Sequence, residues 1–554
     1  MTTQSPRVSN ATLVCLLIVA LSVIMGCPAE SQTDISGPPV NTTGNLTEVT
    51  PDESPGETLD ATGKPADDPN GEPDNRGHEA KPNEDEADPD SKTKPARREP
   101  LFVDWPDPQY VLLVSGRQDG YIEPCGCTGL ANQKGGLVRR YTLRKQLIER
   151  GWEVVPLDVG NQVRRFGRQP EIKFGRTVEA LRLMSYRAIA FGPNDLRLYV
   201  NEVVRLTASE DDDHPSEFVC ANTAVIDRTL TPRFHVIEAR GKKVGVTAIL
   251  SAEHQEKIAS DEIVKQPAEE ALREVWSELE KASCDLYVLL AHASIEESKQ
   301  LAQKFPKFDV VVTAGGAGEP TYEAEKIPDT GAILVQVGTK GTHVGVVGVY
   351  EDEKQPLRYQ RVPLDARFTD SPEMLKILAT YQEELKSAGL EGLGLKAIPH
   401  PSDWTFVGSD ACEDCHEGEY EIWEDTPHAE ALDSLVHPGE RSEIPRHFDP
   451  ECISCHVTGW SPQSYLPYKS GYLSLEETPA MQNVGCENCH GPGSAHMDAE
   501  VDEDATDDLL EELREAMRLG DEAEKKCMEC HDLDNSPDFH AEGAFDEYWE
   551  QVEH

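Results

Sequence analysis

Cys486-Glu487-Asn488-Cys489-His490-Gly491-Pro492-Gly493-Ser494-Ala495-His496 holds one of four Cys-x-x-Cys-His segments in the last third of this chain. The others are Cys412-Cys415-His416, Cys452-Cys455-His456 and Cys527-Cys530-His531. Each is the attachment signature of a c-type haem. Two thiols three residues apart can both add to the vinyl groups of one porphyrin. The histidine that follows lies where its ring takes the iron from the proximal side. With 14 Cys and 17 His among 554 residues, random placement gives roughly 0.01 copies. Zinc would use such cysteine pairs two at a time and would not need a histidine after each. The expectation is therefore four covalent c-type haems. Cys412, Cys415, Cys452, Cys455, Cys486, Cys489, Cys527 and Cys530 attach them, and His416, His456, His490 and His531 ligate their irons.

Outward from these motifs, the chain is long enough for two or more domains. Its formal net charge of −50 argues against nucleic acid as a partner and describes a solvated acidic surface. Residues 1–27 read as an export signal, with Arg7 ahead of an apolar run from Ala11 to Met25. That run is short for a spanning helix, which needs about 20 apolar residues. It ends in Ile24-Met25-Gly26-Cys27, which resembles the bacterial lipobox. Cleavage before Cys27 leaves a lipid-modified cysteine that anchors the mature protein to a membrane. The expected location is the bacterial periplasm or cell envelope. Residues 28–100 are acidic and proline-rich, with no strand or helix period, and read as a disordered tether.

Residues 101–366 read as an α/β domain. Short β-branched runs such as Tyr110–Val114, Val154–Val159, Lys243–Leu250, Leu286–Leu290 and Val344–Tyr350 alternate with helical stretches such as Gly136–Arg150, Glu269–Ala282 and Ile295–Lys304. A helical connector, 367–405, contains Glu373–Leu385. The haem region, 406–554, is poor in strand-like runs and reads as short helices and loops around the cofactors. Within it, Asp507–Leu519 is an amphipathic helix with Leu509, Leu510, Leu513 and Met517 at helical spacing.

Further residues around the motifs are informative: Phe406-Val407-Gly408-Ser409, Trp423-x-x-Thr426-Pro427-His428-Ala429, and the Gly-Pro-Gly-x-x-His run ending at His496. On these, about 150 residues resemble the tetrahaem cytochrome c family that accepts electrons from hydroxylamine oxidoreductase. They are also similar to the multihaem cytochromes around pentahaem nitrite reductase. The resemblance implies that His428 and His496 are distal ligands, usually to neighbouring haems. His554 is a further candidate, because a chain end can fold back over a haem. His437 and His447 are further candidates, in surroundings (Pro438 and neighbouring charges) that suggest a loop. Pentahaem nitrite reductases use Cys-x-x-Cys-Lys at the catalytic haem, and this motif is absent here.

The middle domain presents in order Ser115–Gly120, Gly135–Arg140, Leu157-Asp158-Val159-Gly160-Asn161, Phe191–Asp195, Leu289–His292 and Thr313–Gly318. This order resembles the calcineurin-like metallophosphatase fold, as in the N-terminal domain of periplasmic 5′-nucleotidases. The family binds two metals through D-x-H, G-D, G-N-H-E, a lone His and G-H-x-H. Here those segments read Arg117-Gln118-Asp119, Asn161, Gly192-Pro193-Asn194-Asp195, His292 and Gly315-Gly316-Ala317-Gly318. Only His292 stands where a ligand is expected. A guanidinium repels a divalent cation, and two-metal hydrolysis needs both ions. Cys125-Gly126-Cys127 reads either as disulfide-bonded to Cys220 or Cys284 or as a metal or redox site facing the haems.

The expected function is electron transfer by an exported, lipid-anchored tetrahaem cytochrome. Its partners are redox proteins, and the α/β domain is a scaffold or docking module without hydrolase activity. Alternatives are a phosphoesterase with attached haems, and a haem-based oxidoreductase acting on a small nitrogen species.

Overall fold

The strand Tyr110–Ser115 is buried at every residue, as a β-branched run covered on both faces must be. The computed structural model of the protein describes residues 100–124, 133–209, 215–439, 442–533 and 535–554. The export signal, Cys27, the tether, Cys125 and Cys127 lie outside the described residues.

Tyr110–Ser115 is the centre of a five-stranded sheet. It pairs antiparallel with His343–Val349 and parallel with Val154–Asp158, while Leu357–Pro363 and Ala188–Ile189 form the edges. A second sheet of six strands has four parallel inner strands, Ile333–Gln336, Val310–Thr313, Leu286–His292 and Lys242–Leu250. Leu112, Val114 and Leu157 of the first sheet meet Val246, Val288, Leu290 and Val312 of the second in one apolar layer. Each such side chain stabilises the fold by about 1.5–3 kcal/mol. Helix Leu137–Glu149 covers the outer face of one sheet through Leu143 and Leu147. Helices Ala268–Lys281 and Ile295–Lys304 cover the other through Leu272, Val275 and Leu301. Helix, sheet, sheet and helix thus stack in the layered α/β arrangement expected of a metallophosphatase-like fold.

Two findings go beyond the periodicities of the sequence. Helix Arg168–Leu183 has no obvious apolar run, but Phe174, Val178 and Leu181 are buried. Pro170 falls in its first turn, where a missing N–H costs little. Those residues pack against Met374, Ile377, Leu378 and Tyr381 of helix Pro372–Gly392. The helix expected to be a connector is therefore a core element.

The haem region is built of short helices and loops around Phe406, Leu432, Ile453, Val457, Trp460, Tyr472 and Met481. Trp460 Nε1 donates to the Tyr472 carbonyl at 2.7 Å. Gly459, at φ +78°, and Gly471 lie back to back. A Cβ on Gly471 would stand 1.8 Å from the Gly459 carbonyl oxygen, so no side chain fits. The helix expected over Asp507–Leu519 ends at Ala516, and Leu513 is its single buried residue. It packs on Ser494–Val501 along one side, leaving Leu509 exposed.

The α/β part and the haem region belong to one compact unit. Gln169 Nε2 donates to Asp449 Oδ1 at 2.6 Å and to the Tyr381 hydroxyl at 3.0 Å. Arg446 Nε donates to Glu123 Oε1 at 2.6 Å. Lys173 bonds to Glu451.

Candidate functional site

Each Cys-x-x-Cys-His segment occupies about one helical turn. In the first, the amides of Cys415 and His416 donate to the Cys412 carbonyl at 3.2 and 3.0 Å. In the fourth, Cys530 and His531 donate to Cys527 at 3.2 and 2.9 Å. Residues i, i+3 and i+4 share one helix face, so both thiols and the imidazole of a motif present themselves together.

The turns are anchored by polar contacts from inside the motifs. Glu487, within the third motif, is buried and accepts from the amides of Val407 and Gly408 before the first motif and of Gly493 after its own. Asn488 Nδ2 donates to the Val457 carbonyl just after the second motif at 2.9 Å. The first three motifs are thereby tied together.

The thiols set the neighbours. Cys412 of the first motif lies within electrostatic reach of Cys486 of the third, and Cys455 of the second within reach of Cys530 of the fourth. Cys489 of the third lies within electrostatic reach of Cys527 of the fourth, where helices Cys486–His490 and Ala523–Cys527 touch. The thiols thus bring the first motif close to the third, the third close to the fourth and the fourth close to the second.

The histidines fall into cross-motif pairs. Ring centroids of His416 and His496 are 6.3 Å apart, those of His531 and His428 are 6.1 Å apart, and those of His490 and His554 are 5.7 Å apart. Two imidazoles bound across one metal through bonds of about 2 Å hold their centroids about 6 Å apart. All three pairs therefore fit a haem iron between their rings. Among the described residues no ring contact pairs His456, the remaining motif histidine, with another imidazole. His437 is exposed and bonded to Asp433, and His447 stacks on Phe448.

Nδ1 of His456, His490 and His554 donates to the carbonyls of Ala431, Met517 and Val552 at 2.7, 2.6 and 2.9 Å. That leaves Nε2 of each ring for a metal. Nδ1 of His531 is 3.1 Å from Ser536 Oγ. Burial pushes the imidazoles of His428, His456 and His490 below the ordinary range, and that of His531 to about 4. These rings are neutral at pH 7, the form that ligates metal.

A cavity of about 790 Å³ opens beside the second and fourth motifs, lined by Cys452, Cys455, His456, Cys527, Cys530 and His531. Its opposite wall comes from the α/β part: Tyr121, Glu123, Arg164, Arg165 and Lys173.

The segments that resemble a two-metal centre hold a different network. Arg117 Nη1 donates to the carbonyls of Ala314 and Gly316 at 3.2 and 2.9 Å. Asn161 Nδ2 donates to Asp119 Oδ1 at 2.7 Å. Asp195 accepts from the amides of Asn161, Gln162 and Gly192, and burial pushes its carboxyl up to about 7. His292 Nδ1 donates to the Val159 carbonyl at 2.8 Å, and burial pushes its imidazole down to about 3. Among the described residues no three His, Cys, Asp or Glu side chains group to hold a metal ion. Both readings of the Cys125–Cys127 segment fall on residues outside the described ones. Cys220 is buried with Sγ 3.4 Å from Asn222 Oδ1.

Residues 411–491 match the family described as cytochrome c554 and c-prime. The matched segment carries the first three of the four Cys-x-x-Cys-His motifs. Cytochrome c-554 of Nitrosomonas europaea is 34% identical over 102 residues, which are 17% of this chain and 40% of that protein. An apyrase of Aedes aegypti is 24% identical over 196 residues, 31% of this chain and 34% of that protein. The chain thus spans less than half the length of either relative. Among solved structures, a 5′-nucleotidase precursor from Thermus thermophilus aligns with a TM-score of 0.43 and 18% identity. That alignment covers 50% of this chain and 59% of the other.

Proposed function

We propose that this protein is an exported, lipid-anchored tetrahaem cytochrome that carries electrons, with the metallophosphatase-like domain as its catalytically silent scaffold. One observation carries the reading. Three of the four motif histidines each face a second imidazole at the separation one iron requires. Haem supplies one-electron redox chemistry when bound. The protein's part is to hold each porphyrin by two thioethers, fix His416, His490 and His531 as proximal ligands, and supply His496, His554 and His428 as distal ones. The contacts between motif thiols support a single path in the order first, third, fourth, second. The proposed partners are redox proteins at either end of that path. The match to a cytochrome c-554 supports a periplasmic or envelope location, and Cys27 is the proposed lipidation site.

Intact mass under denaturing conditions should exceed that of the processed polypeptide by four haem groups. Zinc in place of haem would end the reading. Cys27→Ser should release the protein from the membrane fraction, and unchanged fractionation would remove the anchor from the proposal.

A second reading has one observation in its favour. His456 has no facing imidazole among the described residues, so a haem held by Cys452, Cys455 and His456 would have room to bind a small ligand. An oxidoreductase acting on a small nitrogen species would use that haem. Phosphoester hydrolysis has no such support, because Arg117 and Asn161 occupy positions where metal ligands would stand.

A further inference from the structure

Two acidic residues lead into the second motif, Asp449 and Glu451, and both are drawn inward. Asp449 is 5% exposed, and Glu451 adjoins Cys452, which attaches the porphyrin. Carboxylates in such a position disfavour adding an electron to the neighbouring haem, because Coulomb repulsion is weakly screened inside a protein. Among the described residues, the cations that pair with Glu451 come from the α/β domain. Lys173 Nζ bonds to Glu451. Arg165 Nη1 lies 3.4 Å from Glu451 Oε1. From the same domain, Gln169 donates to Asp449.

Arg165 is also held beside the second motif. Its guanidinium lies 3.3 Å from the centroid of the Tyr465 ring, its Nη1 is buried without a hydrogen bond, and it stands within electrostatic reach of Cys455. Arg165, Lys173 and Tyr465 line the same cavity as Cys452, Cys455 and His456.

We propose that the metallophosphatase-like domain supplies the counter-charge that sets the potential of the haem at the second motif, with Arg165 as the controlling residue. Arg165 neutralises Glu451 beside that haem and thereby keeps it reducible at the end of the haem path. This gives the domain a redox role that needs no metal and no hydrolysis. The inference rests on the tetrahaem reading above.

The test is a spectroelectrochemical titration of the full-length, haem-loaded protein. Arg165→Gln should lower the midpoint of one haem, the one at the second motif, by about tenfold in equilibrium constant, or ~59 mV for one electron. The other three should stay in place. Arg165→Lys should restore the wild-type value. The double variant Arg165→Gln with Glu451→Gln should also restore it, since both charges are gone, whereas mere structural damage would accumulate. Four haems with unmoved midpoints, or a double variant lower than Arg165→Gln alone, would overturn the proposal. A wild type with fewer than four covalent haems would instead overturn the tetrahaem reading, and this inference with it.

Discussion

Deleting His554 removes one imidazole and almost nothing else. The residue is exposed, so its loss should cost stability within about 0.5 kcal/mol. The structure nevertheless gives the ring a defined position. Helix Ala544–Trp549 ends shortly before it, with Phe545 and Trp549 stacked at 5.7 Å. The amides of Val552 and Glu553 both donate to the Trp549 carbonyl at 2.9 Å. His554 Nδ1 is turned back onto Val552, and the ring faces His490 at 5.7 Å. If the paired rings share irons, the wild type holds three low-spin haems and one high-spin haem. Without His554, His490 is left as a sole axial ligand, and the low-spin share falls from three quarters to one half. Spin quantitation by electron paramagnetic resonance reads this ratio directly. Added imidazole should restore the third low-spin haem, because it replaces the lost ring without restoring the chain end. An unchanged ratio would show that His554 is not a ligand. A change in more than one haem would show that the terminus acts on structure rather than by ligation.

The same ratio should fall by one haem in His428→Ala and in His496→Ala, with all thioethers intact by mass, and two silent variants would remove these residues from the ligand set. Acid should destabilise the α/β domain through His292. The unfolded chain binds that proton near the ordinary value of about 6.5, but the folded ring does not until about 3. Stability is therefore full above that ordinary value and is lost as pH falls towards 3, at about 1.4 kcal/mol per pH unit. His292→Gln should flatten the dependence of chemical-denaturation midpoints on pH by about one proton, and an equal slope in both proteins would refute this. Nucleotides and phosphodiesters should not be hydrolysed with or without manganese, and metal-stimulated turnover lost in His292→Ala would show that a metal centre survives.

The four Cys-x-x-Cys-His motifs were readable without any fold, because their spacing is local chemistry. One helical turn brings its three side chains together whatever surrounds it. The strands of the α/β domain were readable for a related reason. Runs such as Tyr110–Ser115 and Lys242–Leu250 are apolar on both faces, which suits a strand sandwiched between layers. Helix Arg168–Leu183 escaped because its buried residues are spaced among charges that serve other partners. Arg168 bonds to Glu171 and Glu202 on the surface, while Gln169 and Lys173 reach into the haem region.

Which imidazole faces which could not come from spacing. His428 follows the first motif yet faces the fourth, and His554, readable as a loose end, faces the third. Ligand pairing across an iron is a contact between distant parts of the chain, and it exists only once the short helices are packed. The counter-charge of Glu451 is decided in the same way. The sequence by itself determined how many Cys-x-x-Cys-His motifs the chain carries and which thiols they hold, since such a motif needs only neighbours along the chain. Tertiary structure alone decided the order of the motifs in space, which motif histidines face a second imidazole among the described residues, and the placement of Arg165 and Lys173 beside the second motif, because charge and axial ligation act through distance in space.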